Sequence, residues 1–121
     1  MNKAEAIKEM ERLIDAFPSN VSEAIEIGLD AVKHFKTRPV RNVLISGLGG
    51  SGIGGKFASQ LVWDECKVPI AVVHDYRIPA WVGEDTLFVA CSYSGNTEET
   101  LSTLSQAITR GASISCVTSG G

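Results

Sequence analysis

Four short apolar runs are the feature that most restricts how this chain can fold. Each is nearly continuous in hydrophobic and often β-branched residues, and they occupy positions 43–45, 70–73, 87–90 and 114–117. Runs of this kind are typical of strands that are buried on both faces of a parallel sheet. Two intervening segments, 52–63 and 98–110, are long enough for helices that cross from one strand to the next. The pattern predicts the α/β class, with a doubly wound parallel sheet.

The remaining connections are expected to be irregular. Residues 75–86 contain Pro79, Trp81 and Gly83 and have no convincing helical periodicity, so an irregular loop or a short turn of helix is predicted there. The sequence stops at residues 118–121, directly after the fourth run, where such a fold normally continues into a helix. We therefore expect a sheet that is truncated after its fourth strand.

Two helices are predicted ahead of the sheet. Residues 3–17 place apolar and charged side chains at helical spacing, and Pro18 is expected to end that helix. The serines and the asparagine that follow can cap a second amphipathic helix, which runs to about Phe35. The predicted organisation is a helical segment, residues 1–38, followed by an α/β domain, residues 39–121.

Charge and composition exclude several classes of partner. The 121 residues carry a net charge of −3 and no run of lysine or arginine, so neither nucleic acid nor an anionic membrane is expected as a partner. No segment has the character of a signal peptide or a membrane span, which favours a cytoplasmic protein. Cys66, Cys91 and Cys116 form no C-x-x-C pair and are expected to be reduced packing residues.

A glycine-rich segment follows the first apolar run. Residues 46–55 read SGLGGSGIGG, with six glycines, and precede a predicted helix. Glycine lets a backbone approach a ligand closely, and the amides at a helix N-terminus attract anions such as phosphate. Ser51 adds a hydroxyl donor. The alternative is a glycine-rich turn that is needed only for tight packing between the strand and the helix.

The same segment is also compatible with a dinucleotide site. Residues 47–52 fit G-x-G-x-x-G, and Asp75 follows the second run, where a nicotinamide-binding domain places the acid that binds ribose. A nicotinamide-dependent oxidoreductase is therefore an alternative. An ATP-binding loop fits less well, because Phe57 follows Lys56 where that motif requires serine or threonine.

A hydroxyl-rich segment follows the third apolar run. Residues 92–97, SYSGNT, supply the hydroxyls of Ser92, Ser94 and Thr97, and Gly95 relaxes the turn so that backbone amides can converge on an anion. Taken alone, this segment could be a helix cap, formed by Ser94 or Thr97. The first and third strands of a doubly wound sheet can lie close together at its carboxyl edge, so the two loops together favour one monophosphate.

The two segments together resemble a known family. Ser-x-Ser-Gly-x-Thr after a strand is similar to the phosphate motif of the SIS (sugar isomerase) domain family, and residues 92–97 match it fully. With residues 47–55 and the closing Thr-Ser-Gly-Gly at 118–121, the chain resembles the branch of bifunctional phosphoglucose/phosphomannose isomerases. The resemblance implies a flavodoxin-like three-layer sandwich. It also implies aldose–ketose isomerisation of hexose 6-phosphates through an enediol, in cytoplasmic homodimers that serve carbohydrate metabolism and glycolysis.

The resemblance assigns only substrate-binding roles to this chain. It implies that Gly50 and Ser51 contact the sugar, and that Ser92, Ser94 and Thr97 hold the phosphate. The general base and the ring-opening group of the family lie in later parts of the full-length enzymes, so no catalytic residue is expected here and the chain alone is expected to be inactive. No metal or organic cofactor is implied. The alternative within the family is a sugar-phosphate sensor that regulates a fused partner.

Four polar residues near these loops have competing interpretations. His74 follows the second run and could reach the site, or it could be a strand-end histidine with its hydrogen bonds satisfied. Glu98 and Glu99 are expected to be charges on a helix face, since a carboxylate beside a phosphate would repel it. Tyr93 is expected to point away from the ligand.

Overall fold

The computed structural model describes residues 1–36 and 38–121. Its elements follow one another in the order α1 (Lys3–Lys33), β1 (Asn42–Ser46), α2 (Gly49–Leu61), β2 (Ile70–Val73), β3 (Thr86–Cys91), α3 (Glu98–Thr109) and β4 (Ser113–Val117). All four predicted strands are present. The part before residue 38 forms one compact unit and Arg38–Gly121 forms a second. No helix in the described ranges combines the length and the hydropathy that a bilayer crossing requires.

Helix α1 is continuous, which corrects the prediction of two helices. Pro18 lies inside it, and the serines expected to start a new helix instead donate backwards: Ser19 to the Ala16 carbonyl at 2.9 Å and Ser22 to the Pro18 carbonyl at 3.2 Å. A proline inside a helix costs about 3 kcal/mol, but a break would leave unsatisfied N–H and C=O groups at two new helix ends. The amphipathic pattern on both sides of Pro18 therefore joins into one helix.

The four strands form one parallel sheet in the order β2-β1-β3-β4. Val43 in β1 lies opposite both Ile70 of β2 and Leu87 of β3, and β4 pairs with the outer side of β3. From the middle of the sheet, β1 leads through α2 to β2 on one side, and β3 leads through α3 to β4 on the other. The chain thus winds in both directions, and the prediction of a doubly wound parallel sheet is confirmed.

Helices α2 and α3 cover opposite faces of the sheet. On one face, Leu44 and Phe88 are fully buried and pack with Ala107 of α3. Neighbouring residues of a strand point to the other face. There, a Cβ built on Gly55 of α2 would lie 2.8 Å from Cγ2 of Ile45, so this helix sits close against the strand. The helices and the sheet form the three-layer sandwich that the resemblance implied.

The connection between β2 and β3 is an irregular loop, as predicted, and it completes the core on the α3 side. Its Ile78 and Val82 are buried in the same cluster as Phe88. Arg110, at the end of α3, donates to the carbonyl of Pro79 at 2.6 Å. The loop therefore packs beside α3 and covers part of the sheet that a helix would otherwise cover.

The three cysteines are free thiols, and two of them are partly buried. Cys66 and Cys91 are half-buried, whereas Cys116 on β4 is exposed. Burial, with a smaller contribution from the neighbouring Cys116 thiol, raises the pKa of Cys91. The expectation of a packing residue is wrong for Cys116, because its side chain is exposed on β4, the last strand in the order of the sheet.

Candidate functional site

The glycine loop (residues 47–52, of which the last four form the first turn of α2) and the Ser/Thr loop (residues 92–97) meet at the carboxyl edge of the sheet. They follow β1 and β3, the two adjacent strands from which the chain winds in opposite directions. Open α/β sheets bind ligands in the crevice at such a switch point. A cavity of about 600 Å³ lies there, lined by Leu48, Gly50, Ser51, Tyr93, Ser94 and Thr97. One cavity therefore contains residues of both predicted phosphate motifs.

The structure brings four of the five expected binding residues to this cavity. Gly50, Ser51, Ser94 and Thr97 line it, whereas Ser92 does not. Ser92 is 7% exposed, and its hydroxyl lies 2.7 Å from that of Thr97. Ser92 is thus placed behind the cavity wall, where it contacts a lining residue.

Helix α2 directs an uncapped N-terminus at the cavity. It begins at Gly49, earlier than the sequence pattern predicts, and its N-cap residue Leu48 has no side-chain acceptor to bind the first amides. The N–H groups of Ser51 and Gly52 turn back to the Leu48 carbonyl at 3.1 and 3.3 Å. The amides that precede them are among those that an α-helix leaves without an internal partner. This end of α2 therefore offers N–H donors and a positive dipole end to an anion.

Tight packing explains only part of the glycine content of this segment. A Cβ on Gly52 would lie 2.7 Å from the Gly47 carbonyl oxygen and 2.8 Å from Nδ1 of His74, so no side chain fits there. At Gly50 nothing lies within 4 Å of such a Cβ, and φ is not in the left-handed region. Neither packing nor backbone geometry requires glycine at position 50. Its exposed backbone lines the cavity instead, which favours close approach of a ligand.

The Ser/Thr loop is not organised as a helix cap. Thr97 occupies the N-cap position of α3 but forms no side-chain capping hydrogen bond, and its hydroxyl is paired instead with that of Ser92. The Ser94 hydroxyl accepts the N–H of Asn96 at 3.1 Å, which precedes the helix. The Ser92 hydroxyl also accepts the N–H of Gly95 at 3.1 Å. The loop is therefore braced internally, and the first amides of α3 remain without a side-chain cap at the cavity.

The two glutamates in the first turn of α3 do not contribute to the cavity wall. Tyr76, in the loop after β2, donates its hydroxyl to Oε2 of Glu98 at 3.3 Å. Desolvation, followed by the charges and hydrogen bonds of Glu99 and Glu98, raises the pKa of the Tyr76 phenol. The carboxylates thus interact with the Tyr76 hydroxyl and lie in the first turn of α3, as expected for charges on a helix face.

His74 is a strand-end histidine that is hydrogen-bonded to the glycine loop. Its Nδ1 lies 2.9 Å from the carbonyl oxygen of Gly47. A carbonyl only accepts, so Nδ1 carries the proton in this contact. His74 does not line the cavity. Of its two interpretations, the structure supports the satisfied histidine, which here helps to hold the glycine loop.

The nicotinamide alternative does not fit the arrangement of the strands. In the usual dinucleotide-binding order the third strand pairs with the second, whereas β3 pairs with β1 here. Asp75, the candidate ribose ligand, accepts the N–H of Tyr76 at 2.6 Å and lies 3.9 Å from Arg77. It is not part of the cavity lining. The strand order is that of flavodoxin-like folds.

Sequence reasoning missed two residues of the cavity. Leu48 lines it as the N-cap of α2, and Tyr93, expected to point away, lines it with 82% of its surface exposed. Both residues lie between residues of the two motifs, and this position in the sequence is the signal that could have identified them as lining residues. Within residues 1–36 and 38–121, no group of three or more His, Cys, Asp or Glu side chains is placed to hold a metal ion.

Comparisons with known proteins agree with this arrangement. The SIS domain family model matches residues 37–121. A bifunctional phosphoglucose/phosphomannose isomerase from Caldicellulosiruptor bescii is 46% identical over 104 residues, which is 86% of this chain and 31% of the relative. A protein of the same description from Thermoplasma acidophilum is 47% identical over 87 residues, which is 72% of this chain and 27% of the relative. The chain thus spans between a quarter and a third of the length of these relatives.

A solved structure supports the same assignment. The crystal structure of a candidate phosphosugar isomerase from Bacillus subtilis superposes with a TM-score of 0.62 and 28% sequence identity, covering 74% of this chain and 29% of that one. The resemblance drawn from the two loop motifs is confirmed. The chain belongs to the SIS domain family.

Proposed function

We propose that this chain binds the phosphate of a hexose 6-phosphate in the cavity between the glycine loop and the Ser/Thr loop. The observation that carries the proposal is the meeting of both motifs in one cavity, at the switch point of the sheet. The hydroxyls of Ser94 and Thr97 and the amino ends of α2 and α3 supply the donors for a dianion. Gly50 and Ser51 would contact the oxygens of the sugar.

We assign Ser92 an indirect part in this binding. Its hydroxyl is paired with that of Thr97 and also accepts the N–H of Gly95, so it orients the group that would contact the phosphate. Each charge-assisted hydrogen bond to the dianion contributes about 1.5–3 kcal/mol to binding. Anchoring the phosphate in this way holds the distant carbon atoms of the sugar in a fixed place, which is how binding energy assists a reaction elsewhere in the substrate.

The reaction we propose is sugar-phosphate isomerisation, because the relatives that match most of this chain are described as phosphoglucose/phosphomannose isomerases. Interconversion of an aldose and a ketose through an enediol moves a proton between C1 and C2, and that step needs a base within hydrogen-bond reach of the carbon. The cavity lining contains neither a carboxylate nor an imidazole among the described residues. In our proposal this chain supplies the groups that bind the phosphate, and the base is expected from the later parts of the longer family members, as the resemblance implies.

A chimera tests the isomerase proposal. This chain would replace the matching third of the Caldicellulosiruptor bescii relative, and conversion of glucose 6-phosphate and mannose 6-phosphate to fructose 6-phosphate would be measured. We expect the chimera to act on both substrates. The Ser94→Ala, Thr97→Ala version should show a raised KM, since it loses binding energy that acts on substrate and transition state alike. A chimera that folds and binds fructose 6-phosphate but converts neither aldose would contradict the proposal.

The cytoplasmic location, the homodimer and the place in glycolysis stay predictions. The homodimer and the place in glycolysis follow from the family resemblance, and the location is the expectation drawn from the sequence itself.

A further inference from the structure

The segment after β4, residues 118–121, forms a small turn of its own beside the Ser/Thr loop. The Thr118 hydroxyl donates to the Gly120 carbonyl at 2.7 Å and accepts the Gly120 N–H at 3.2 Å. None of these residues lines the cavity. The proposed binding roles therefore leave the segment without a function.

This segment holds one carbonyl of the Ser/Thr loop with two hydrogen bonds. The carbonyl oxygen of Tyr93 accepts the hydroxyl of Ser119 at 2.6 Å and the N–H of Ser119 at 3.2 Å. One residue earlier, the N–H of Ser92 donates to the Val117 carbonyl at 3.1 Å, which extends the pairing of β3 with β4 into the loop. The peptide plane between Tyr93 and Ser94 is thereby fixed from the β4 side.

The orientation of that peptide decides where the N–H of Ser94 points. In a trans peptide the C=O and the following N–H point in opposite directions. Because the Tyr93 carbonyl faces Ser119, the N–H of Ser94 faces away from the segment 118–121. Among residues 1–36 and 38–121 no atom accepts this N–H, and Ser94 is a lining residue of the cavity. The amide is left available to an anion there.

A backbone contact adds to these hydrogen bonds. Gly95 has φ of +73°, and a Cβ on it would overlap the carbonyl oxygen of Gly120 and lie 2.8 Å from Cα of Gly121. The Ser/Thr loop and the segment 118–121 thus touch through backbone atoms, and neither Gly95 nor Gly121 can carry a side chain at this contact without moving.

We propose that Ser119 is a positioning residue, whose hydroxyl holds the Tyr93 carbonyl so that the Ser94 amide faces the phosphate of the ligand. The inference rests on the proposed function, because it needs a phosphate in the cavity. Ser119 itself does not contact the ligand. Its effect passes through the peptide between Tyr93 and Ser94.

Calorimetric titration of this chain with fructose 6-phosphate tests the inference. Loss of one orienting hydrogen bond should raise the Kd of Ser119→Ala about five- to tenfold. Ser119→Thr keeps the hydroxyl and should bind like the wild type. Ser102→Ala is the matched control, since its hydroxyl also donates to a backbone carbonyl, that of Tyr76 at 3.0 Å, but outside the cavity. A second readout is the amide resonance of Ser94 without ligand, which should move in Ser119→Ala and stay in Ser102→Ala.

The outcomes separate the two proposals. If Ser119→Ala has the same Kd and the same Ser94 amide resonance as Ser102→Ala, the positioning role is overturned. Phosphate binding between the two loops would remain intact. A folded wild-type chain that does not bind fructose 6-phosphate would overturn the proposed function and this inference with it. Equal weakening in Ser119→Ala and Ser102→Ala, matched by equal losses of thermal stability, would also overturn it, because a general loss of stability would then explain the result.

Discussion

The Ser94→Ala, Thr97→Ala double variant is expected to bind fructose 6-phosphate at least ~100-fold more weakly than the wild-type chain. Both hydroxyls line the cavity beside the amino end of α3. Loss of each hydroxyl's hydrogen bond to the phosphate dianion lowers the binding free energy by about 1.5 kcal/mol or more. The two losses together exceed the roughly 2.7 kcal/mol that corresponds to a factor of 100 in Kd. Calorimetric titration measures the loss directly.

A matched double variant provides the control. The double variant Ser102→Ala, Thr109→Ala removes two hydroxyls from α3. These hydroxyls donate to the carbonyls of Tyr76 and Ser105, at 3.0 Å each. Neither residue lines the cavity, so binding should be unchanged. If the Ser94/Thr97 variant keeps its fold by circular dichroism and binds within threefold of the wild type, the Ser/Thr loop does not bind the phosphate.

Gly95→Ala is expected to lower the free energy of unfolding by about 2–5 kcal/mol. A φ of +73° is a strained conformation for alanine, which costs about 1–2 kcal/mol. The new Cβ would also overlap the Gly120 carbonyl, a backbone atom that cannot rotate away, and overpacking adds about 1–3 kcal/mol. Urea unfolding of the two chains gives the difference.

Gly83→Ala is the control for this substitution. It also lies in a loop, but its φ is outside the left-handed region and nothing lies within 4 Å of the added Cβ. We expect its stability to change by less than about 1 kcal/mol. A Gly95→Ala chain as stable as Gly83→Ala would mean that the Ser/Thr loop and the segment 118–121 are not in contact.

The strands of this fold could be predicted from the sequence because buried strands have a simple pattern of consecutive apolar residues. A strand covered on both faces, such as β1 or β3, is apolar at successive positions, and the shortness and β-branched content of the run distinguish it from a buried helix. The order of the strands was not available in the same way. The apolar runs permit β3 to pair with β1 or with β2, and this choice separates a flavodoxin-like fold from a dinucleotide-binding one.

Helix α1 could not be predicted as one element because local signals and helix energetics disagree there. Pro18 and the polar residues after it have the composition of a helix end followed by a cap. The serine hydroxyls can bind forward to amides, as a cap does, or backward to carbonyls, as they do inside a continuous helix. Ser19 and Ser22 bind backward, and this choice depends on side-chain rotamers that the sequence pattern does not encode.

Most of the candidate site was accessible from sequence because its residues follow strands directly. Ser94 and Thr97 belong to a motif with fixed spacing, and the carboxyl ends of parallel strands lie at one edge. That Tyr93 and not Ser92 lines the cavity could not be predicted from the sequence. It depends on a turn that pairs the hydroxyls of Ser92 and Thr97, five residues apart, and leaves Tyr93 exposed beside the cavity.

The most direct test of the account is an amide chemical-shift titration of this chain with fructose 6-phosphate and, separately, with fructose. We predict saturable shifts at Gly50, Ser51, Ser94 and Thr97 with the sugar phosphate, and none with fructose. A second cavity of about 270 Å³, at residues 59–70 near the opposite edge of the sheet, serves as the internal reference. Shifts confined to that cavity, or an equal response to fructose, would contradict phosphate binding between the two loops.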